Sequence, residues 1–356
     1  MIESFLSGFS GLVAGFLNLQ WPSVVMMVVG GGLLYLGIRK DIEPLLLVPI
    51  GFGCILVNIP LAGLMEPHGF LRTIYDFGIM TEIFPLLIFV GIGAMTDFGP
   101  VLENPVTFLL GAAGQFGIFI TLVIALALGF KELEAVSIGI IGACDGPTAI
   151  YVTSKFAPHL LGAVSVAAYS YMSLVPIIQP PIMKMLTTEK ERATVMKTGR
   201  KPVSKTTKLL FPLVITIVGG LIAPMGLPLL GTIMLGNLMR ESGVVERLTR
   251  ASQNEIANVV TLLLGISIGA TMEGRIFLQP QTLIILALGF LAICLDTACG
   301  VLLGKVLYVF TKGRINPLIG AAGISAFPMS ARVVMKAGQK YNKKSYLLMH
   351  AMGANA

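Results

Sequence analysis

The sequence is short of the residue types on which soluble enzymes and secreted domains depend. Only 12% of its 356 residues are charged, about half of the roughly 25% found in soluble domains. Its four cysteines form no Cys-x-x-Cys pair and its three histidines are far apart, which argues against zinc or redox motifs and a disulfide scaffold. It contains no Walker A sequence and no Gly-x-Ser-x-Gly elbow, so ATP hydrolysis is not encoded.

Apolar residues are abundant instead. They make up 55% of the chain, and at about 20 residues per spanning helix it could hold about ten to twelve membrane segments. The composition therefore predicts an all-α polytopic membrane protein and argues against a nucleic-acid-binding domain. The apolar runs lie at about 21–38, 43–63, 79–95, 105–130, 135–153, 159–183, 209–239, 256–272, 281–311, 317–332 and 345–356.

The positive charge is concentrated in one loop. The net charge is +7, and residues 184–208 contain eight basic residues and two acids. The positive-inside rule predicts that such a loop between apolar segments is cytoplasmic. Its basic residues are Lys184, Lys190, Arg192, Lys197, Arg200, Lys201, Lys205 and Lys208.

Two apolar runs do not have the pattern of simple spanning helices. The run 135–153 contains Asp145 followed by Gly-Pro, and the run 317–332 contains two glycines and two prolines. Broken backbone is tolerated in a bilayer only where it is buried in protein or lines a wet cavity. Five full crossings between Arg39–Lys40 and the basic loop would also place these two cationic sites on opposite sides. We therefore predict that 135–153 is re-entrant or broken.

The two irregular segments resemble each other at an offset of 181 residues. Gly142 and Pro147 align with Gly323 and Pro328. At an offset of 176, Gly-Ala at 93–94 aligns with Gly-Ala at 269–270. These matches predict two inverted-type repeats, 1–183 and 209–356, joined by a basic cytoplasmic linker, 184–208. Paired broken segments, here 135–153 and 316–332, indicate a transport site near the midplane.

Asp145, in Gly-Ala-Cys-Asp-Gly-Pro-Thr, is the strongest candidate for a functional residue. A carboxylate within an apolar run costs at least about 2.5–3.5 kcal/mol. It therefore requires a cation, a proton or a basic partner. The alternative role is an N-cap for a helix that begins at Pro147, and the two roles are compatible.

Asn316 and Ser325 lie on the second broken segment, with Arg332 one to two turns further on. Amide and hydroxyl oxygens suit a hard monovalent cation, so an Na⁺ site facing Asp145 is one interpretation. Helix capping by Asn316 and packing by Ser325 are the alternatives. Arg332 could orient a carboxylate or stabilise a helix C-terminus.

Other polar residues remain open candidates. Tyr169 and Tyr171 could donate a proton or form hydrogen bonds between helices. Asp296 and Glu82 are further acids in apolar surroundings, and each could act in the site or lie at an interface.

Five passages together resemble one family, from about residue 20 to the end. The resemblance is to the β subunit of the sodium-pumping biotin-dependent decarboxylases, which act on oxaloacetate, methylmalonyl-CoA or glutaconyl-CoA. The passages are Gly91–Pro100, Gly142–Ile150, Tyr171–Pro181, Ile315–Ser325 and Leu347–Asn355.

The resemblance implies an enzyme that decarboxylates carboxybiotin and moves Na⁺ outward while consuming a proton. The implied Na⁺ ligands are Asp145, Asn316, Ser325 and Asn355. Tyr171 is implied in protonation, and Gly320 and Arg332 are implied in handling carboxybiotin; Asp145, Tyr171 and Arg332 form the implied catalytic set.

The implied setting is the cell inner membrane, in a complex with a carboxyltransferase α subunit, a biotin carrier protein and a small γ- or δ-type membrane subunit. Self-association into a homo-oligomer remains open. The compact first half is more similar to the acyl-CoA members, such as those that act on methylmalonyl-CoA, than to the longer oxaloacetate members. A stand-alone Na⁺/H⁺ or Na⁺/solute transporter is the alternative function, since it would also explain the repeats and Asp145.

Overall fold

The computed structural model describes residues 13–40, 44–103, 106–196, 203–326 and 329–355. These residues form helices and connecting loops with no strand among them, which confirms the predicted all-α class. The helices of the first half are α1 Trp21–Lys40, α2 Pro44–Val57, α3 Phe70–Tyr75, α4 Ile83–Met95, α5 Gly99–Glu103, α6 Val106–Ala113, α7 Phe116–Ala127, α8 Glu132–Gly139, α9 Gly146–Phe156 and α10 Leu161–Leu186.

A short helix in the linker separates the halves. The second half, like the first, consists of helices interrupted by short 3₁₀ and π segments. Its helices, counted from the linker, are α11 Glu189–Arg192, α12 Lys205–Ile222, α13 Leu227–Ser242, α14 Glu246–Ala251, α15 Ala257–Ala270, α16 Gly274–Phe277, α17 Pro280–Phe310, α18 Met329–Tyr341 and α19 Leu348–Asn355.

Within the described residues, four helical segments are long and apolar enough to cross a bilayer, and two bent pairs raise the number to six. This is fewer than the ten to twelve segments that composition allowed. Several apolar runs that we counted as full spans are short or bent: α2 has 14 residues, and the pair Phe70–Met80 and Ile83–Met95 bends by 58°. The four segments are Trp21–Lys40, Leu109–Ala127, Lys205–Ile222 and Pro280–Phe310.

An uncommon local structure recurs in both halves. Helix α3 continues into a π-helix at Asp76–Met80, and α14 continues into a π-helix at Ser252–Ile256. Both pairs are separated by the 176 residues that the sequence matches indicated. Because π-helices are rare, their recurrence in the same register supports a duplication.

The two halves also exchange equivalent contacts. Helix α2 packs on α15, and α13 packs on α4. Gly53 and Gly269 lie at the first crossing, Gly236 and Gly93 at the second, and a Cβ on any of them would overlap the backbone of the opposite helix. Small residues of this kind let two membrane helices approach closely. The repeat boundaries themselves remain a prediction.

Both segments predicted to be broken are interrupted, and each is a re-entrant hairpin. In the first, α8 passes through a 3₁₀ turn at Ile140–Ala143 before α9 begins. His159 Nε2, just after α9, lies 2.9 Å from Glu134 Oε1 at the start of α8. The chain therefore leaves this hairpin on the side where it entered.

The second hairpin opens at the other end of α10. Its first arm is a 3₁₀ helix, Pro317–Gly323, and its second arm is α18. Asn316 Nδ2, at its start, donates to the carbonyl oxygens of Arg192 and Thr194, and Asn342 Nδ2, just after α18, donates to that of Ala193. Both ends of the hairpin therefore hold the same stretch of the linker. Residues 327–328, within the predicted break at 316–332, lie outside the described residues.

Basic side chains of the linker contact the rest of the protein, which its charge alone did not predict. Arg192 is only 5% exposed; it donates to the Thr187 carbonyl and stacks on Tyr341. Lys208 Nζ lies 3.2 Å from Asp97 Oδ1 and 3.7 Å from Glu241 Oε2. Two of the eight cations therefore stabilise the fold. Residues 197–202 of the linker and residues 1–12 of the predicted first repeat lie outside the described residues.

Candidate ion site between the hairpin tips

Asp145 lies at the tip of the first hairpin because the backbone turns sharply there. Cys144 adopts a left-handed conformation with φ 55°, and Asp145 is extended. Gly146 and Pro147 then begin α9, as expected for Pro in a first helical turn. Asp145 occupies the N-cap position, and the Thr148 hydroxyl donates to its Oδ2. Both roles considered for Asp145 are therefore compatible with its position.

The second hairpin meets the first at this tip. The Ser325 backbone N–H donates to the Ala143 carbonyl oxygen over 2.8 Å. Ser325 belongs to the extended stretch that follows the 3₁₀ helix, so its N–H is free of helical partners. This main-chain hydrogen bond holds the Ser325 side chain near Asp145.

A cavity of about 330 Å³ opens where the two hairpins meet, and Asp145, Ser325 and Asn355 all line it. The structure thus brings together three of the four residues proposed as Na⁺ ligands. Asn355 donates through Nδ2 to the Ile324 carbonyl, while its buried Oδ1 has no partner among the residues that the structure describes. Much of the remaining wall is apolar, with Ile88 and Ile92 among its residues.

The electrostatics of the cavity favour a cation. Among the described residues that line it, Asp145 is the only charged side chain, and no Lys, Arg or His compensates it. The described residues also contain no group of three or more His, Cys, Asp or Glu side chains that could hold a metal ion. One carboxylate beside neutral oxygens is the donor set that suits a hard monovalent cation or a proton.

Asn316 and Gly320 do not line this cavity. The Asn316 side chain caps the 3₁₀ helix through Oδ1, which accepts from Leu318 N–H at 3.0 Å, and its Nδ2 holds the linker. Gly320 is buried against Gly300, where a Cβ would overlap the opposite backbone. The capping alternative therefore describes Asn316, and close helix packing accounts for glycine at 320. Their predicted roles in binding Na⁺ and carboxybiotin derive no support from these positions.

Tyr171 and Arg332 also lie outside the cavity lining. The Tyr171 hydroxyl donates to the Leu286 carbonyl at 2.6 Å, so the structure shows the interhelical hydrogen bond that we kept as an alternative. Arg332 is exposed in the first turn of α18. It therefore does not lie at the C-terminus of its own helix, and its side chain is exposed.

The two additional acids have structural partners. Asp296 on α17 is fully buried; its Oδ1 accepts from Gly117 N–H, while its Oδ2 has no partner within the described part of the chain. Glu82 lies 3.5 Å from Lys155 Nζ. Neither residue lines the cavity. Each contacts another segment of the chain, and a part in the site stays a prediction for both.

Tyr169 lines the cavity, although the sequence left its role open. Its ring packs on Gly146, so a Cβ at that position would overlap it. The Tyr-Ser-Tyr spacing was the available signal, since residues two apart lie on different helix faces. The spacing alone did not show which face pointed inward.

An all-helical membrane protein in which two re-entrant hairpins meet at an ionisable cavity has the architecture of ion-coupled membrane transporters. Comparison with known families makes this class specific. Residues 22–356 match the model of the Na⁺-transporting oxaloacetate decarboxylase beta subunit, and the chain belongs to this family. The resemblance seen in the five motifs is thereby confirmed.

Several curated relatives align over nearly the whole chain. It is 51% identical to methylmalonyl-CoA decarboxylase subunit beta of Veillonella parvula, and 51% identical to glutaconyl-CoA decarboxylase subunit beta of Acidaminococcus fermentans. Each alignment covers 99% of this chain and 94% of the relative. The oxaloacetate decarboxylase beta chain of Klebsiella pneumoniae is 47% identical, with 99% of this chain and 95% of the relative covered.

Proposed function

We propose that this chain is the membrane subunit of a Na⁺-transporting decarboxylase complex, in which decarboxylation of carboxybiotin drives Na⁺ outward and consumes a proton. Family membership supports this function over a stand-alone transporter. The observation that carries the ion-coupling part is the cavity at the hairpin tips, where Asp145 has neutral oxygens but no basic side chain beside it.

The Na⁺ shell would consist of the Asp145 carboxylate, the Ser325 hydroxyl and the Asn355 amide oxygen. The unpartnered Asn355 Oδ1 fits this role, because a buried carbonyl without a donor calls for an occupant. Na⁺ and a proton can each neutralise the same carboxylate, so they compete for it. Such competition is the minimum requirement for exchange of the two ions.

Arg332 would receive the carboxylated biotin. Its exposed guanidinium can form paired hydrogen bonds with a carboxylate. Decarboxylation breaks the bond between the ureido nitrogen and the carboxylate carbon. CO₂ leaves, the electron pair stays on the nitrogen, and one proton completes the biotin. Tyr171 remains a proposed participant in this proton transfer, acting from outside the ion cavity.

The partners proposed are a carboxyltransferase α subunit, a biotin carrier protein that delivers carboxybiotin, and a small γ- or δ-type membrane subunit, all at the inner membrane. The linker would face the cytoplasm. We further propose an acyl-CoA, such as methylmalonyl-CoA, as the upstream substrate. The acyl-CoA relatives from Veillonella and Acidaminococcus align over 356 positions, whereas the Klebsiella oxaloacetate relative requires 415, so this chain has the more compact form.

Replacing Asp145 with Asn tests the proposed coupling. The variant keeps the side-chain size and one carbonyl oxygen but loses the charge, so Na⁺-stimulated decarboxylation and Na⁺ uptake into reconstituted vesicles should both be lost. Asp76→Asn is the matched control, because Asp76 is a half-exposed acid paired with Arg72 on the surface, and it should pump normally. Wild-type pumping by Asp145→Asn would mean that this carboxylate is only a helix cap.

A further inference from the structure

Helix α10 carries two tyrosines whose hydroxyls have different surroundings. Residues two positions apart on an α-helix point about 200° apart, so only one of the two can face the ion cavity. Tyr171 points toward α17, where its hydroxyl is bound by the Leu286 carbonyl and its ring lies 6.1 Å from that of Phe290. Tyr169 is 2% exposed and lines the cavity.

The Tyr169 hydroxyl is buried and has no hydrogen-bond partner among the described residues. Buried hydroxyls are almost always hydrogen-bonded, because leaving one unpaired forfeits its hydration without compensation. The unpartnered Oδ1 of Asn355 adjoins the same cavity. These two unpartnered oxygen atoms belong to residues that line one cavity with Asp145, which indicates an occupant that oxygen ligands can coordinate.

The position of the Tyr169 ring is fixed relative to Asp145. The ring packs directly on Gly146, the residue that follows Asp145, where any side chain would collide with it. The hairpin tip, which includes Asp145, therefore cannot move away from the Tyr169 ring without breaking this contact. A rigid aromatic group placed in this way provides a pre-positioned oxygen.

We propose that Tyr169, and not Tyr171, provides the aromatic hydroxyl of the ion site, as a neutral oxygen ligand to the cation held by Asp145. This inference rests on the proposed function and extends it by one ligand that the family motifs did not indicate. A phenol oxygen beside a carboxylate, an amide oxygen and a serine hydroxyl completes a set of hard donors for Na⁺.

Tyr169→Phe tests the proposal, because it removes the hydroxyl and keeps the ring on Gly146. Binding is measured without turnover, as the rise in melting temperature of the purified complex when KCl is replaced by NaCl. The variant should need about tenfold more Na⁺ for the half-maximal rise, and the Na⁺ concentration for half-maximal decarboxylation should increase in parallel.

The direction in which the melting temperature changes in KCl, without Na⁺, distinguishes a ligand from a structural group. Removing an unpaired buried hydroxyl should leave the melting temperature in KCl equal or higher. A hydroxyl with a structural role would instead lower the melting temperature equally in both salts, which would overturn the proposal. Tyr171→Phe and Tyr151→Phe serve as matched variants. The Tyr171 hydroxyl donates to the Leu286 carbonyl and the Tyr151 hydroxyl to the Met225 carbonyl. Both variants should keep the wild-type Na⁺ concentration for the half-maximal rise in melting temperature.

Asp145→Asn in the same assay distinguishes a failure of Tyr169 as a ligand from a failure of the ion site itself. If Asp145→Asn loses the Na⁺ response while Tyr169→Phe retains the wild-type half-maximal concentration, Tyr169 is not a ligand and the proposed function stands. If Asp145→Asn keeps the full Na⁺ response, the ion site itself is wrong and the role of Tyr169 falls with it.

Discussion

Removing the Ser325 hydroxyl is the cleanest perturbation of the proposed Na⁺ shell. The contact that positions Ser325 is its main-chain N–H to the Ala143 carbonyl, at 2.8 Å. Ser325→Ala leaves this hydrogen bond in place, so the hairpin tips should still meet. The variant then differs from the wild type by one oxygen atom facing the cavity.

The size of the effect follows from the chemistry of that oxygen. A neutral oxygen that contacts an ion contributes about 1.5–3 kcal/mol, as hydrogen bonds to charged groups do. Because about 1.4 kcal/mol corresponds to a factor of ten in binding, the half-saturating Na⁺ concentration should rise about 10- to 100-fold. The decarboxylation rate at saturating Na⁺ should change little, since Asp145 remains.

The measurement is decarboxylation by the purified complex over a wide range of NaCl concentrations, at constant ionic strength. Ser330→Ala is the control: Ser330 is fully buried on α18, and its hydroxyl has no partner in the described ranges, but it does not line the cavity. Its Na⁺ dependence should equal that of the wild type. A half-saturating Na⁺ concentration that rose less than about threefold in Ser325→Ala would fall well below the range above, and Ser325 would have to be removed from the shell.

Two further predictions concern the fold. A Cβ on Gly304 would lie 2.5 Å from the Pro317 carbonyl oxygen, whereas one on Gly31 would meet nothing within 4 Å; both substitutions gain helix propensity. Gly304→Ala should therefore be less stable than Gly31→Ala by about 1–3 kcal/mol, and equal melting temperatures would contradict the close packing of the second hairpin on α17. For topology, Lys190→Cys should react with membrane-impermeant thiol reagents only from the cytoplasmic side, and Lys131→Cys, near the mouth of the first hairpin, only from outside. Labelling of both from one side would refute the opposed hairpins.

The two helix breaks and the candidate acid could be predicted from the sequence, because both follow from local physical chemistry. The glycines and prolines clustered around Asp145 and around Gly323 favour interrupted helices, so the two breaks could be predicted from the residues alone. The energetic cost of a carboxylate within an apolar run singled out Asp145, which does line the cavity. The offset of 176 residues between the Gly-Ala pairs also separates the two π-helices, which the sequence did not predict.

The composition of the ion site depended on tertiary contacts. Asn316 and Ser325 both supply oxygens from the second broken segment, yet Asn316 caps a helix and holds the linker while Ser325 faces Asp145. Tyr169 and Tyr171 are equivalent in sequence terms, and their roles diverge because α17 supplies a carbonyl to one of them.

The linker likewise combines features that the sequence predicts with features that depend on tertiary contacts. The sequence shows that it is a basic loop, but only the structure shows that Arg192 is buried against Tyr341 and that Lys208 pairs with Asp97. Sequence by itself determined that this chain enters a membrane, where its helices break, and that an acid lies at one of the breaks, because these follow from local backbone geometry and solvation. Which oxygens share a cavity with that acid was decided only by the tertiary structure, since the facing of a side chain depends on the helices packed against it.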